Sequence, residues 1–425
     1  MNAPSLVKGW CPGALRPMES GDGLLVRLRI TGGIISAPKA HIIAKAAMQH
    51  GNGLIDLSGR ANLQIRGVSA SQWPHLIADL SRHGLIDHDA EAESVRNVMA
   101  SPLAGINPSA LLDIRPVVKA LEARLVSEAP LHALPGKFGF LVDDGGLFGL
   151  CGQSTDIGFE AIKSGDETLF AVRLGNTETV ALITPDQVAD CAAALALTFI
   201  KTSSKSDKPL KRIKDLISLI GTEALLQKAG LSRLTNLPIK PASIQPFGFH
   251  PLDQTGFVGI GAPFGRWSAN SLDALADIAA KDGTGELRLT PWRAILVPGL
   301  DAKAAKALIE KAGREFISQA SDPRLAISAC PGMPACRNAS VKTHEDALAF
   351  ATLPSLAGPS GMRLHVSGCE KGCANPAATT AVLVGKNGLY DLVVNGKASD
   401  TPHLFGLDKA AAEAALNDLF KGVSR

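Results

Sequence analysis

The chain writes one pattern of apolar and polar positions twice. From Leu24 a strand leads to a glycine turn at Gly32-Gly33, and apolar residues then recur at helical spacing from Lys39 to Met48. After Gly51-Asn52-Gly53 a second strand is predicted from Leu54 to Gly67. The same order returns without a gap at a constant offset of 232 residues, Leu24 against Gly256 and Val68 against Leu300. Gly32-Gly33-Ile34-Ile35-Ser36-Ala37 lies against Phe264-Gly265-Arg266-Trp267-Ser268-Ala269, and a helix follows from Ser271 to Ala280. Gly283-Thr284-Gly285 and a strand from Glu286 to Gly299 complete the second copy. Two units at so long a period mean duplication, not a solenoid. The two copies are expected to pair as one pseudo-symmetric sheet-and-helix body.

A further unit follows each copy. One runs from about Asn97 to Thr235, where Lys137 to Val142 reads as a strand closed by a tight hairpin turn at Asp143-Asp144-Gly145-Gly146. The other starts near Ala326 and holds a hairpin from Thr380 to Val394 with Lys386-Asn387-Gly388 at its turn. The pattern is α+β, with boundaries expected at 1–90, 91–240, 241–315 and 316–425.

One stretch of the first copy carries more polarity than a fold requires. Side chains alternate faces along a strand, so Arg60, Asn62, Gln64 and Arg66 are expected on one face and Ala61, Leu63 and Ile65 on the other. Two guanidiniums and two amides in a row suit a large polycarboxylate anion, because arginine meets carboxylate in a bidentate fork. An ordinary solvated strand face is the plainer reading. The second copy decides for binding: its matching positions are Trp292, Ala294, Leu296 and Pro298, so the fold itself does not demand the polar face.

The C-terminal unit carries four cysteines as two pairs, Cys330-Pro-Gly-Met-Pro-Ala-Cys336 and Cys369-Glu-Lys-Gly-Cys373. This spacing, with glycines and prolines that favour non-helical backbone, suits a [4Fe-4S] cluster. A four-cysteine zinc site or disulfides are the alternatives, although zinc sites favour closer pairs. The remaining three of seven cysteines, Cys11, Cys151 and Cys191, are scattered, which fits a reducing compartment. With no apolar h-region over Met1 to Pro17 and no long apolar run, a cytoplasmic protein without a membrane span is expected. A net charge of +3 gives no reason to expect nucleic acid as a partner.

Together the duplicated half-domains, the Ser58 to Arg66 strand and the C-x5-C and C-x3-C pairs resemble the sirohaem-dependent nitrite and sulfite reductases. Within them, Cys11-Pro12-Gly13, Pro17 to Arg27, Leu134 to Phe140, Leu287 to Arg293 and Val366 to Ala374 look like the precorrin-3B synthase branch of aerobic cobalamin biosynthesis. The resemblance implies a pseudo-two-fold fold of paired ferredoxin-like half-domains plus two sirohaem-domain-like α/β units. It implies that Cys330, Cys336, Cys369 and Cys373 hold the cluster. In the reductases the cysteine matching Cys373 also bridges to the sirohaem iron. It implies a monooxygenase that takes precorrin-3A and O2, hydroxylating C20 and closing a γ-lactone. Substrate carboxylates are then expected on Arg60, Asn62, Gln64 and Arg66, with Lys137 and Arg293, and more weakly Arg27, Arg29, Arg266 and Arg288, at the edges. A second iron is expected, mononuclear non-haem or haem or sirohaem, but no His/His/carboxylate triad stands out; His250, His344 and His365 read as packing or surface residues, and no catalytic acid or base is named. Without a G-x-G-x-x-G after a strand, NADH is expected to act through a separate reductase or ferredoxin. A sirohaem nitrite or sulfite reductase is the alternative; an iron–sulfur electron-transfer protein is the alternative of another class.

Overall fold

The computed structural model describes residues 11–150, 152–175, 179–232, 245–356 and 362–423. The two repeats build two five-stranded sheets, and each sheet borrows its last strand from the other repeat. The first runs Met18–Ser20, Gly23–Leu28, Leu63–Val68, Leu54–Leu57 and then Arg266–Ser268. The second runs Gly248–Leu252, Thr255–Gly261, Ala294–Leu300, Glu286–Leu289 and then Ile34–Ser36. The exchange is reciprocal: Trp267 pairs with Ile55, and Leu287 pairs with Ile35. The repeat was legible in the sequence, but the borrowed strands were not.

Each borrowed strand runs directly into a helix, Ala37–His50 or Ala269–Asp282. Ser268 caps the second helix by accepting a hydrogen bond from Ser271 N–H at 3.0 Å. Both helices end on a glycine with nearly the same backbone angles, φ −112° at Gly51 and −115° at Gly283. Close approach explains the residue type. A Cβ at Gly51 would stand 2.5 Å from the Arg66 carbonyl oxygen, and one at Gly283 would stand 2.6 Å from that of Pro298. The two helices pack on the inner faces of both sheets in one core, with Val26, Ile43, Ala47, Ile65, Leu272, Ala276 and Val297 all fully buried or nearly so. Each larger aliphatic side chain there contributes about 1.5–3 kcal/mol by leaving water.

The duplication extends to the backbone. Gly32 and Phe264 share a left-handed conformation (φ 61° and 58°), as do Ala61 and Arg293 (55° and 62°). Phenylalanine and arginine adopt this conformation only when the surrounding fold imposes it.

The remaining two sheets also share a topology. Val98–Ala100, Phe140–Asp143 and Ile157–Ser164 are parallel, followed by antiparallel Glu167–Leu174 and Thr179–Ile183. Likewise Ile327–Ala329, Leu364–Ser367 and Thr379–Lys386 are parallel, followed by Leu389–Gly396 and Leu404–Leu407. The hairpin expected from Thr380 to Val394 is present, with Asn387 (φ 52°) and Gly388 (φ 80°) forming its two-residue turn. The hairpin expected at Asp143-Asp144-Gly145-Gly146 is not. Phe140–Asp143 is parallel to both neighbours, and the two aspartates cap the loop that leaves it: Gly145 N–H donates to Asp143 Oδ1 at 2.8 Å and Gly146 N–H to Asp144 Oδ1 at 2.9 Å. Turn-forming residues also serve the mouth of a parallel strand.

The outer faces of the two central sheets diverge in chemistry. Ala294 and Leu296 of the second sheet are buried against Leu103, Phe148, Phe247 and Ile317. This apolar face is consumed by packing on the first α/β unit. The equivalent face of the first sheet remains polar.

Candidate functional site

Strand Leu63–Val68 carries that polar face, but Arg60 and Asn62 lie outside it. Ser58 N–H donates to the Asn62 carbonyl at 2.9 Å, Ala61 N–H donates to the Ser58 carbonyl at 3.0 Å, and Ala61 is left-handed. A tight turn therefore precedes the strand, and the expected four-residue stripe is interrupted. Asn62 is buried and its side chain donates to the Arg60 carbonyl at 3.2 Å.

Within the strand, Gln64 lies opposite Arg27 and accepts a hydrogen bond from its guanidinium at 3.0 Å. Arg29 follows on the same face, and Arg60 donates to the Lys137 carbonyl at 2.9 Å. The Lys137 side chain itself points to solvent. Among the described residues, Arg27, Arg29 and Arg60 pair with no carboxylate, and the Nε atoms of Arg27 and Arg29 are buried without a partner. Burial, then the neighbouring Arg29, pushes Arg27 down to about 10. Burial also lowers Arg29, and burial with Arg212 nearby lowers Arg60. The three guanidiniums are crowded and desolvated, with Glu93 and Asp87 acting on Arg29 and Asp156 on Arg60 only from beyond salt-bridge distance, and their free donors suit carboxylates.

Arg66 is arranged differently. It is 1% exposed and donates to Asp22 (2.8 and 2.9 Å), Asp56 (3.1 Å), Ser20 Oγ (2.9 Å) and the Ala335 carbonyl (3.0 Å). The expectation that Arg66 grips a ligand beside Arg60 thus meets a side chain whose donors are already engaged. Asp56 also accepts from Arg266 at 2.8 and 3.1 Å. Burial opposes its charge, yet Arg266 and then Arg66 hold it below the usual carboxylate range. Nothing in the local sequence marked Asp22 and Asp56 as these partners. Arg288 is likewise occupied, by Glu286 and the Ala104 carbonyl. Arg293 is half-buried, donates to the Phe264 carbonyl at 3.4 Å and has its pKa lowered by desolvation.

Through Ala335 this network reaches the cysteine loop. Cys330 ends Ile327–Ala329 and Cys369 follows the adjacent parallel strand, so the register brings the two pairs together. Gly368 N–H donates to Cys330 Sγ at 3.1 Å. Burial raises Cys330. Cys373, though exposed at the surface, is raised by partial desolvation and by the other three thiols, against the pull of Lys371. Gly332 is left-handed (φ 62°), and a Cβ there would stand 2.2 Å from Thr343 Oγ1. All four are free thiols, buried at Cys330, half-buried at Cys336 and Cys369, and exposed at Cys373. Among the described residues no three His, Cys, Asp or Glu side chains gather tightly enough for one metal ion. The parallel register places the C-x5-C and C-x3-C pairs at one end of the sheet.

The histidines lie apart. His250 stacks on Phe257 and abuts Phe148. His344 packs against Phe264 and is pushed down to about 3, by burial and then by Arg266. His365 is wholly buried and lowered to about 4 by burial.

Comparison with known proteins agrees with this architecture. The model for the nitrite/sulfite reductase ferredoxin-like half domain matches residues 16–83 and 250–314. That for the nitrite and sulphite reductase 4Fe-4S domain matches residues 91–236, the α/β unit that lacks the cysteine pairs. A precorrin-3B synthase from Sinorhizobium sp is 34% identical over 410 residues, covering 94% of this chain and 86% of its own. The chain belongs to the precorrin-3B synthase family, within the nitrite and sulfite reductase superfamily. The ferredoxin–nitrite reductase of Synechococcus elongatus is 26% identical, over 95% of this chain and 85% of its own. The fold matches that of the NirA protein of Mycobacterium tuberculosis with a TM-score of 0.75 at 18% identity, covering 94% of this chain and 80% of that one. Membership of this family and its enzyme relatives support an oxidoreductase with an iron–sulfur cluster. Among the described residues no helix is long and apolar enough to cross a membrane.

Proposed function

We propose that this chain is a precorrin-3B synthase, the O2-dependent monooxygenase that hydroxylates precorrin-3A at C20 and closes the γ-lactone from the ring A acetate. The observation that carries the reading is the group of unpaired arginines, Arg27, Arg29 and Arg60, on a sheet face whose far end is tied through Arg66 to the cysteine loop. A tetrapyrrole rimmed with carboxylates matches the first part, and an electron source matches the second. In this reading Cys330, Cys336, Cys369 and Cys373 hold a [4Fe-4S] cluster that supplies single electrons. Electrons come ultimately from NADH through a separate reductase or ferredoxin.

The chain's own task is then positional. Arg27, Arg29 and Arg60 hold carboxylates at the rim, and Gln64 orients Arg27. Arg66 keeps the sheet and the cysteine loop in register without touching substrate. Among the described residues no group of three His, Cys, Asp or Glu side chains is placed to hold a mononuclear iron.

Anaerobically purified protein given precorrin-3A, an electron donor and ¹⁸O2 tests the reading. Incorporation of one labelled oxygen, from protein without a sirohaem spectrum, is the expected result. A strong sirohaem spectrum with nitrite or sulfite reduction would instead identify the reductase alternative. Arg60→Ala is expected to weaken tetrapyrrole binding by about 1.5–3 kcal/mol, on the order of ten- to a hundredfold in Kd, with cluster absorbance unchanged. Equal Kd values for the variant and the native protein, measured by fluorescence quenching, would remove Arg60 from the contact set.

A further inference from the structure

His365 occupies the middle of Leu364–Ser367, on the opposite side from Leu364 and Val366, which enter the apolar core of the C-terminal unit. It is 0% exposed, and neither ring nitrogen has a hydrogen-bond partner. A neutral imidazole carries one donor and one acceptor. Leaving such a group buried and unmet is destabilising, so a partner outside the protein's own polar atoms is called for. Its surroundings supply no polar protein atom to meet that need. Its register partners are Ser328 on one side and Val382 on the other, and Val382 packs with Val384, Val393 and Ala398 on this face.

What covers the ring is the cysteine loop itself. Gly372, next to Cys373, is left-handed (φ 59°), and a Cβ there would stand 3.6 Å from His365 Cε1 and 3.1 Å from Ala398 Cβ. The loop backbone at Gly372 therefore approaches the edge of the imidazole, beside Ala398. Ser328, opposite His365, is two residues before Cys330, and His365 is four before Cys369. The orphaned ring thus lies against the Cys369–Cys373 loop, one residue from Cys373.

We propose that His365 is a positioning residue whose ring N–H donates a hydrogen bond to sulfur of the iron–sulfur cluster, either a bridging sulfide or a cysteine thiolate. The inference rests on the cluster assignment made above. Hydrogen bonds to cluster sulfur withdraw electron density and favour the reduced state. His365 would thereby set the potential at which the cluster accepts an electron, without contacting substrate.

The test reads the cluster, not turnover. The native protein labelled with ¹⁵N-histidine is reduced and examined by pulsed EPR for coupling to a histidine nitrogen. An EPR-monitored redox titration then compares it with His365→Phe and His365→Asn. Expected are a ¹⁵N coupling that disappears in His365→Phe, a shift of the midpoint to lower potential in that variant, and partial recovery in His365→Asn, which keeps an N–H. Absence of coupling in the native protein overturns the proposal even if His365→Phe fails to fold, and so does an unchanged midpoint in a folded variant. Native protein that binds no cluster overturns the cluster assignment and this inference together; a normal cluster signal without histidine coupling overturns only this one.

Discussion

Replacing Cys369 with alanine is expected to leave a protein that takes up no stable [4Fe-4S] cluster and hydroxylates no substrate. The parallel pairing of Ile327–Ala329 with Leu364–Ser367 holds Cys330 and Cys369 at adjacent strand ends. If the four thiolates hold the cluster as proposed, losing one opens a corner, and among the described residues the remaining cysteines, Cys11 and Cys191, lie in other parts of the fold. Iron and sulfide per chain after anaerobic reconstitution, with the visible absorbance, measure the outcome. Cys191→Ala is the matching control. That thiol is buried in helix Val188–Ser203 and pushed up to about 12 by burial, so the variant is expected to retain the full iron and sulfide content. Equal cluster content in Cys369→Ala and native protein would remove Cys369 from the ligand set.

The second large effect is on stability. Arg66→Ala leaves Asp22 without its guanidinium and strips Asp56 of one of two, inside a site where Arg66 is 1% exposed. Breaking a buried pair from one side costs about 3–5 kcal/mol. Arg66→Lys is expected to recover little of it, because one ammonium cannot reproduce a fork that serves two carboxylates, a hydroxyl and a carbonyl. The pH dependence has a definite sign. Asp56 titrates below its ordinary value in the folded chain, so the stability it contributes is full above the unfolded pKa and is lost as pH falls through the folded one. The deficit of Arg66→Ala should therefore be largest at neutral pH and shrink in acid. Urea denaturation at neutral and acidic pH reads both quantities; a deficit that grows in acid would contradict this account.

Arg60 and Arg66 show what sequence could and could not reveal. Their spacing makes them equivalent on an extended strand, and the alternation said no more. Three-dimensional partners separate them: acids from two other strands or turns claim Arg66, while Arg60 bonds only a carbonyl among the described residues. The repeat and its helices were readable because apolar spacing is a local property. The borrowed strands were not, because Ile34–Ser36 and Arg266–Ser268 look alike whichever sheet they join. At Asp143-Asp144-Gly145-Gly146 composition misled for a related reason: it specifies a sharp change of direction, not the strand that follows. The cysteine pairs were legible through their spacing, whereas the buried pocket around His365 depends on a loop that closes over it.

The reciprocal strand exchange also bears on how the molecule could have arisen. Two separate copies trading strands in this manner would form a homodimer, in which every substitution appears on both sides. Such an ancestor could not line one groove with arginine and glutamine while filling its counterpart with alanine and leucine. Fusion into a single polypeptide lifts that constraint. The two surfaces can then diverge, one kept for a ligand and the other spent as mortar between domains, while the shared interior still holds them to a common geometry.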